Sequence, residues 1–420
     1  MNGSSNSEGS VHAADDQPEW ALFTGMPEKP VEAGESDFGF IDSKGVTSTA
    51  SCVNDLAEKI GKSRESVDLV WTPDSERMQV TEEVPALNKV ILNRRKKFAE
   101  RDISDGIRMG LVFGSMLIYT LYAVWSNGAK TIESFYTNQL TGLAALLFFI
   151  FGLLPFYEGW KLRRSLARLD VSSIQDEIPD ARFDVWLRRQ SIPVTWVLLA
   201  CLLAVGLVQL YIDRGSGGIS TSIQQAGQLK KEGIKLPNID DAHAWWRVLT
   251  GGVLHGNPIH FLMNAVGILY LGRRTEALAR WPHMLIVFVS AMWVGGIASA
   301  KLLPADPAVG ASGGLMGLLG FLIIYEGLHR RLVPRSVRRR LFAGVALMAV
   351  MGFLGMSFID NAAHAGGLLA GMMYAWLVFP PSFTARRPRV MGKDKVVGAA
   401  AGLALLAICA LACSKILGIS

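Results

Sequence analysis

The chain has 420 residues, half of them apolar and only 19% charged, and its mean hydropathy is positive. That balance excludes a single soluble domain of this length and points to many membrane spans. The formal charge of +6 would suit a nucleic-acid partner, but basic residues flanking apolar stretches account for it better. No nucleic acid is expected as a partner.

In chain order, the start Met1-Asn2-Gly3-Ser4-Ser5-Asn6 is polar and has no apolar core of a cleavable signal peptide. The first ninety residues hold 17 acidic against 7 basic side chains, a net charge of −10. They read as a compositionally separate acidic head, 1–92, placed in the cytoplasm. Residues 1–20, rich in Ser, Asn and Gly, read as disordered. The piece from Glu19 to Leu92 holds Trp20, Phe23, Phe38, Phe40, Val67–Trp71 and Val80, enough for a small folded module. A linker, Ala86–Ser104, carries the basic cluster Arg94-Arg95-Lys96-Lys97 toward the membrane.

About 20 mostly apolar residues cross a bilayer as a helix, and nine such stretches follow. They run Ile107–Trp125, Leu140–Tyr157, Ile192–Ile212, Ile259–Leu271, Pro282–Leu303, Ala308–Leu328, Leu341–Phe358, Ala362–Phe379 and Val396–Leu417. The fourth is the weakest, being short. Arg and Lys favour the cytoplasmic side of short loops. The clusters at 94–97, 161–168 with 182–189, 273–274, 330–340 and 386–395 all fall inside if nine spans start from a cytoplasmic N-terminus. Only the longer segment Asp213–Gly256, with Arg214, Lys230, Lys231, Lys235 and Arg247, is ambiguous. The membrane is most simply a bacterial inner membrane. Cys52, Cys201, Cys409 and Cys413 form no metal pattern and no disulfide framework. No internal repeat is visible.

Polar side chains within spans are costly and are candidates for function. Those away from helix ends are His260 and Asn264 in the fourth span, Ser312 in the sixth, and Asn361 and His364 in the eighth. These helices all descend in the same direction and carry their polar residues near the start, so the four residues His260, Asn264, Ser312 and His364 should lie at one depth. Gly310, Gly313, Gly314, Gly317 and Gly320 line the sixth span, and Gly366, Gly367 and Gly371 the eighth. Small residues at this spacing let helix backbones approach closely, as a Ser–His contact between helices requires. Taken singly, each feature has a blander reading. A serine in a membrane helix usually bonds its own backbone, a buried histidine is usually a satisfied donor, and Asn264 could bridge helices. The joint arrangement is what points to a site.

These residues resemble the rhomboid intramembrane serine protease family. The matching elements are Trp246-Arg247, the run His255-Gly-Asn-Pro-Ile-His260 with Asn264, Tyr270-Leu271-Gly272 with Glu276, Gly310-Ala311-Ser312-Gly313, and His364 with Gly366, Gly367 and Gly371. The resemblance covers about Ile192 to Phe379. It implies an all-α polytopic membrane protein in which a six-helix rhomboid core, 191–380, follows two extra transmembrane helices in 93–190. A basic loop and one further transmembrane helix, 381–420, come after it. It also implies Ser312 as nucleophile, His364 as general base, and His260, Asn264 and the Ser312 N–H as oxyanion donors. Trp246, Arg247, Glu276, Gly310, Gly313, Gly367 and Gly371 match structural positions of the motif. His255 would seat the loop or hold water. Met316 stands where many members carry an aromatic beside the catalytic histidine, which predicts altered packing rather than inactivity.

The expected chemistry is therefore hydrolysis of a peptide bond in or near a transmembrane helix of another membrane protein, without metal or cofactor. The expected partners are such substrates, the lipid bilayer and a cytoplasmic partner of the head. The rival class is a non-proteolytic rhomboid-like protein of membrane quality control, which typically lacks the serine or histidine. A transporter fits less well, lacking an inverted repeat and a row of intramembrane carboxylates.

Overall fold

The computed structural model describes residues 17–22, 26–30, 38–128, 131–166, 171–214, 221–227, 245–302 and 308–419. The expectation of disorder in 1–20 falls almost wholly outside these residues, as do Phe23, Lys230, Lys231 and Lys235. The chain divides into two compact units, Met1–Arg189 with Leu347–Ile359, and Gln190–Ala346 with Asp360–Ser420.

In the first unit the head folds around a small antiparallel sheet. Strands β1 (Phe38–Asp42), β2 (Thr47–Ala50) and β3 (Val67–Trp71) lie in the order β2-β1-β3, with Phe38 opposite Ala50 and Phe40 opposite Val70. Gly39 sits against the Trp71 ring, where a Cβ would collide with the indole. Helix α1 (Val53–Lys62) turns Leu56 and Ile60 onto one face of the sheet. This sheet stands outside the all-helical expectation.

Helix α2 (Asn88–Ser126) contributes Ile91, next to Leu87, to the same core. Where a linker is expected over Ala86–Ser104, the first membrane helix already runs from Asn88. From Asn88 to Asp105 the sequence has no Gly or Pro to stop a helix, and the Arg101–Asp105 pair supports it. At 39 residues the helix is about 58 Å long, against a hydrocarbon core of about 30 Å, so its charged end extends beyond the bilayer. Helix α3 (Gln139–Leu166) runs back beside it. Glycine sets their distance: a Cβ on Gly106 would lie 2.6 Å from the Phe156 nitrogen, and one on Gly152 2.7 Å from the Gly110 Cα. Helix α4 (Ile178–Arg189) returns to the head, placing Val185 in a second core with Leu69, Trp71, Met78 and Val80. Arg182 Nε donates to Glu83 at 2.7 Å, and Arg188 meets Asp68 at 2.9 Å.

In the second unit, α5 (Pro193–Ile212), the short α6 (Thr221–Ala226) and α7 (Arg247–Thr250), and a 3-10 turn Gly251–Val253 lead to α8 (Pro258–Gly267). A π turn, Ile268–Gly272, joins α8 to α9 (Arg273–Ala279). Then come α10 (Trp281–Leu302), α11 (Ser312–Leu328), α12 (Arg335–Leu354), α13 (Asn361–Val378) and α14 (Gly392–Ile416). Helix α11 is the centre. Every residue from Gly313 to Leu322 is buried, which is why it is apolar on all sides. It packs on α10 and α13. Helix α12 belongs to the second unit as far as Ala346, and its continuation Leu347–Ile359 groups with the first. There Gly142 lies against Leu354 and Ser357, a Cβ coming within 2.9 Å of the serine hydroxyl.

Each of the nine apolar stretches contains a helix among the described residues. By length and composition, five helices can cross a membrane: Pro85–Ser126, α3, α5, α10 and α14. The protein is an integral, multi-pass membrane protein. The other four differ from the simple pattern for visible reasons. Helix α11 has 17 residues, the α8–α9 rod carries His260, Asn264, Arg273 and Arg274, α12 opens with arginines, and α13 opens with Asn361 and His364.

Candidate active site

Ser312 is the first residue of α11. Just before it, Gly310 takes φ +131°, a conformation that favours glycine. Its N–H donates to the Gly251 carbonyl at 2.9 Å, tying the approach to α11 onto the 3-10 turn after α7. As the first helical residue, Ser312 has an N–H that no earlier turn of α11 can accept.

His260 and Asn264 reach this segment from α8. Asn257 caps that helix, its Oδ1 accepting from the His260 N–H at 2.9 Å, and Asn264 follows one turn later on the same face. A Cβ on Gly310 would lie 2.7 Å from His260 Cε1, 2.9 Å from His260 Nε2 and 3.8 Å from Asn264 Nδ2. Both side chains thus pack two residues from Ser312. Asn264 is 4% exposed, and its Nδ2 has no acceptor among the described residues. An unpaired buried donor costs about 1–3 kcal/mol, so stability alone would not favour it.

His364 lies in the first turn of α13. Asp360 caps this helix by accepting from the Ala363 N–H at 2.8 Å. Its carboxylate is thereby engaged with the backbone. The Ala363 carbonyl is pressed onto two glycines: a Cβ on Gly295 would lie 2.7 Å from it, and one on Gly313 3.7 Å. One turn on, Gly367 meets the Gly313 carbonyl, and Gly371 meets the Gly317 carbonyl, both too close for any Cβ. The residue after Ser312 and the residue before His364 are therefore neighbours across the α11–α13 seam. The two side chains are partly buried, and no hydrogen bond joins Ser312 Oγ to the imidazole among the described residues. Met316 is buried in α11.

The remaining motif residues hold the frame. Glu276 accepts from the backbone N–H groups of Val194 (3.0 Å) and Thr195 (2.8 Å) and from the Thr195 hydroxyl (2.7 Å). Arg247 donates to the Gln224 and Gly227 carbonyls at 3.0 and 2.9 Å and lies 4.8 Å from the Trp246 ring centre. His255 is 6% exposed and meets the His260 and Phe261 rings edge-on, its ring nitrogens without partners among the described residues.

Two arrangements escaped the sequence reading. Gln209 exchanges hydrogen bonds with the His255 backbone at 3.0 and 3.2 Å and donates to Ser222, which donates to Asp213 at 2.6 Å. The signal was present as Gln209 and Asp213, polar at i,i+4 near the end of an apolar helix. Arg274, counted among loop cations, is 2% exposed and pairs through two bonds, of 2.6 and 2.7 Å, with Glu326, itself 1% exposed.

Residues 242–381, which carry every one of these motif residues, match the sequence profile of the Rhomboid domain. The chain carries a Rhomboid domain. Among its relatives are the Rhomboid protease GluP of Bacillus subtilis (strain 168), 30% identical over 158 residues, which are 38% of this chain and 31% of that protein. RHOMBOID-like protein 6, mitochondrial, of Arabidopsis thaliana is 31% identical over 134 residues, 32% of this chain and 43% of the relative. Inactive rhomboid protein 2 of Homo sapiens is 30% identical over 146 residues, 34% and 17% of the two chains. The rhomboid match spans less than half the length of each of these relatives.

Proposed function

We propose that this rhomboid is an intramembrane serine endopeptidase that cleaves peptide bonds in or near transmembrane helices of other membrane proteins. The observation that supports the reading is the glycine seam of α11 and α13, which makes neighbours of Gly313 and Ala363 and brings the two helix starts bearing Ser312 and His364 together. In this reading the six helical rods from α5 to α13 form the core, α2 and α3 precede it, and α14 follows. Nine spans run from a cytoplasmic N-terminus, most simply in a bacterial inner membrane.

Ser312 Oγ attacks the scissile carbonyl carbon while His364 takes its proton. The C=O electrons move onto oxygen, where His260, the Asn264 amide and the Ser312 N–H donate to the oxyanion. Collapse of the adduct breaks the C–N bond, and His364 returns the proton to the leaving amine. Water then enters by the same route in reverse and releases the acyl group. With Asp360 engaged at the helix cap, His364 is oriented by packing, which suits a slow enzyme. A helical substrate hides its carbonyls in backbone hydrogen bonds, so segments weakened by Gly or Pro are preferred.

The test is cleavage of a reporter transmembrane segment in proteoliposomes by the wild type, Ser312→Ala, His364→Ala and Asn264→Ala. The first two substitutions should abolish cleavage, and Asn264→Ala should lower kcat about 10²- to 10³-fold. Cleavage that survives Ser312→Ala would remove the dyad. A wild type that binds the reporter without cutting it would favour the non-proteolytic reading, which the similarity to an inactive rhomboid keeps as the alternative.

A further inference from the structure

We propose that α14, outside the matched Rhomboid domain, is a strut of the active site, with Lys415 and Trp246 as positioning residues for the segment that carries Ser312. The inference rests on the protease reading and deepens it by naming what holds the site in place.

One end of α14 is fixed on α10 and, through His283 of α10, linked to α13. A Cβ on Gly398 would lie 2.6 Å from both Cα and Cβ of Pro282, so the helices touch through backbone. Asp394 accepts from the Met391 N–H at 2.8 Å and stands 3.9 Å from His283 Nε2, while His283 Nδ1 meets the Tyr374 hydroxyl at 2.8 Å. Buried Leu405, Ile408, Cys409, Ala412 and Ile416 carry the packing along the helix. Its far half lies against α5, α6, α7 and the turn Gly251–Val253.

At that far end Lys415 Nζ lies 5.5 Å from the centre of the Trp246 ring, which Arg247 also approaches. A lysine ending a membrane helix ordinarily extends into the headgroup layer. Here it is committed to an indole. The segment it touches is a knot of short helices: Arg247 holds the Gln224 and Gly227 carbonyls, and the Thr250 hydroxyl donates to Ala226 at 2.6 Å. The next residue, Gly251, accepts from Gly310, two residues before Ser312. None of the short helices is long enough to be rigid alone. Helix α14 has 25 residues and a fixed base. Active sites lose rate steeply when their supporting shell shifts by an ångström, and α14 is the long element behind this shell.

The experiment uses the full chain in micelles. Lys415→Ala, Lys415→Arg, Trp246→Leu and the Lys415→Ala/Trp246→Leu double variant are compared with wild type, with Ser312→Ala as the blank. Two readouts are taken: kcat and KM on the reporter, and hydrogen exchange of the amides of 246–256. Lys415→Ala should lower kcat about two- to fivefold, the kinetic equivalent of an exposed cation–ring contact. KM should stay unchanged, exchange across 246–256 should quicken, and Lys415→Arg should restore both. The double variant should lose no more than Trp246→Leu alone. Wild-type kcat with wild-type exchange in Lys415→Ala, or fully additive losses in the double variant, overturns the strut. If the wild type itself does not cleave, the protease reading fails, and exchange alone then decides whether α14 holds the loop.

Discussion

Glu276 closes the N-terminus of α5 over Thr195: one carboxylate takes the backbone N–H groups of Val194 and Thr195 and the Thr195 hydroxyl. A buried carboxylate with three donors replaces the water that the first turn of α5 would otherwise need. Glu276→Ala leaves those donors unpaired and should cost about 2–4 kcal/mol, while Thr195→Val should cost about 1 kcal/mol. Unfolding of the purified protein in mixed micelles reads both. The double variant should be less destabilised than the two added together, because the residues share one bond.

The α11–α13 seam makes a sharper prediction about glycine. Gly367→Ala and Gly371→Ala each drive a methyl into a carbonyl of α11, so the helices must part. Overpacking of this kind costs about 1–3 kcal/mol, and a shift of one ångström at the site can cost about 10²-fold in rate. Gly327→Ala is the control. Nothing lies within 4 Å of its Cβ, and there alanine should stabilise the helix by up to about 1 kcal/mol without change in cleavage.

Arg274 and Glu326 are a buried pair, and their removal should be asymmetric. Arg274→Ala strands a carboxylate and should cost about 3–5 kcal/mol. Arg274→Met with Glu326→Leu removes both charges and should recover most of that loss. Unfolding midpoints of these two variants decide it: equal losses in the single and the double variant would refute the pairing argument.

Cys52 should be the reactive thiol of the protein. It is exposed at the start of α1, and the backbone N–H groups of Asp55 and then Asn54 draw its pKa below the ordinary thiol value. Cys201, Cys409 and Cys413 sit in membrane helices. Alkylation of the native protein followed by peptide mass mapping should label Cys52 first. The rate should rise with pH and level off earlier than for a free cysteine, since the thiolate is already formed.

Much of this architecture could be read from residue order. The apolar stretches contain helices, and His260, Ser312 and His364 lie at the starts of α8, α11 and α13, with Asn264 one turn further along α8; Pro258, Gly310 and Asp360 mark the boundaries. What escaped depends on three dimensions. Arg274 and Arg273 look alike in a basic loop, and only the packing of α9 against the rest of the unit buries one of them. The head offered aromatic residues but too few alternating runs to announce three strands. The continuation of α2 through Arg94–Asp105 is hidden because charge ends a membrane span without ending a helix, which stops only where its backbone or its caps demand.

Leu87 and Ile91 belong to the head's core and to the foot of α2 at once. The head therefore has no swivel at that joint. A ligand that tilts the sheet by some angle tilts the foot of the transmembrane shaft with it, as a crank turns its axle, and the lipid around α2 and α3 resists the torque.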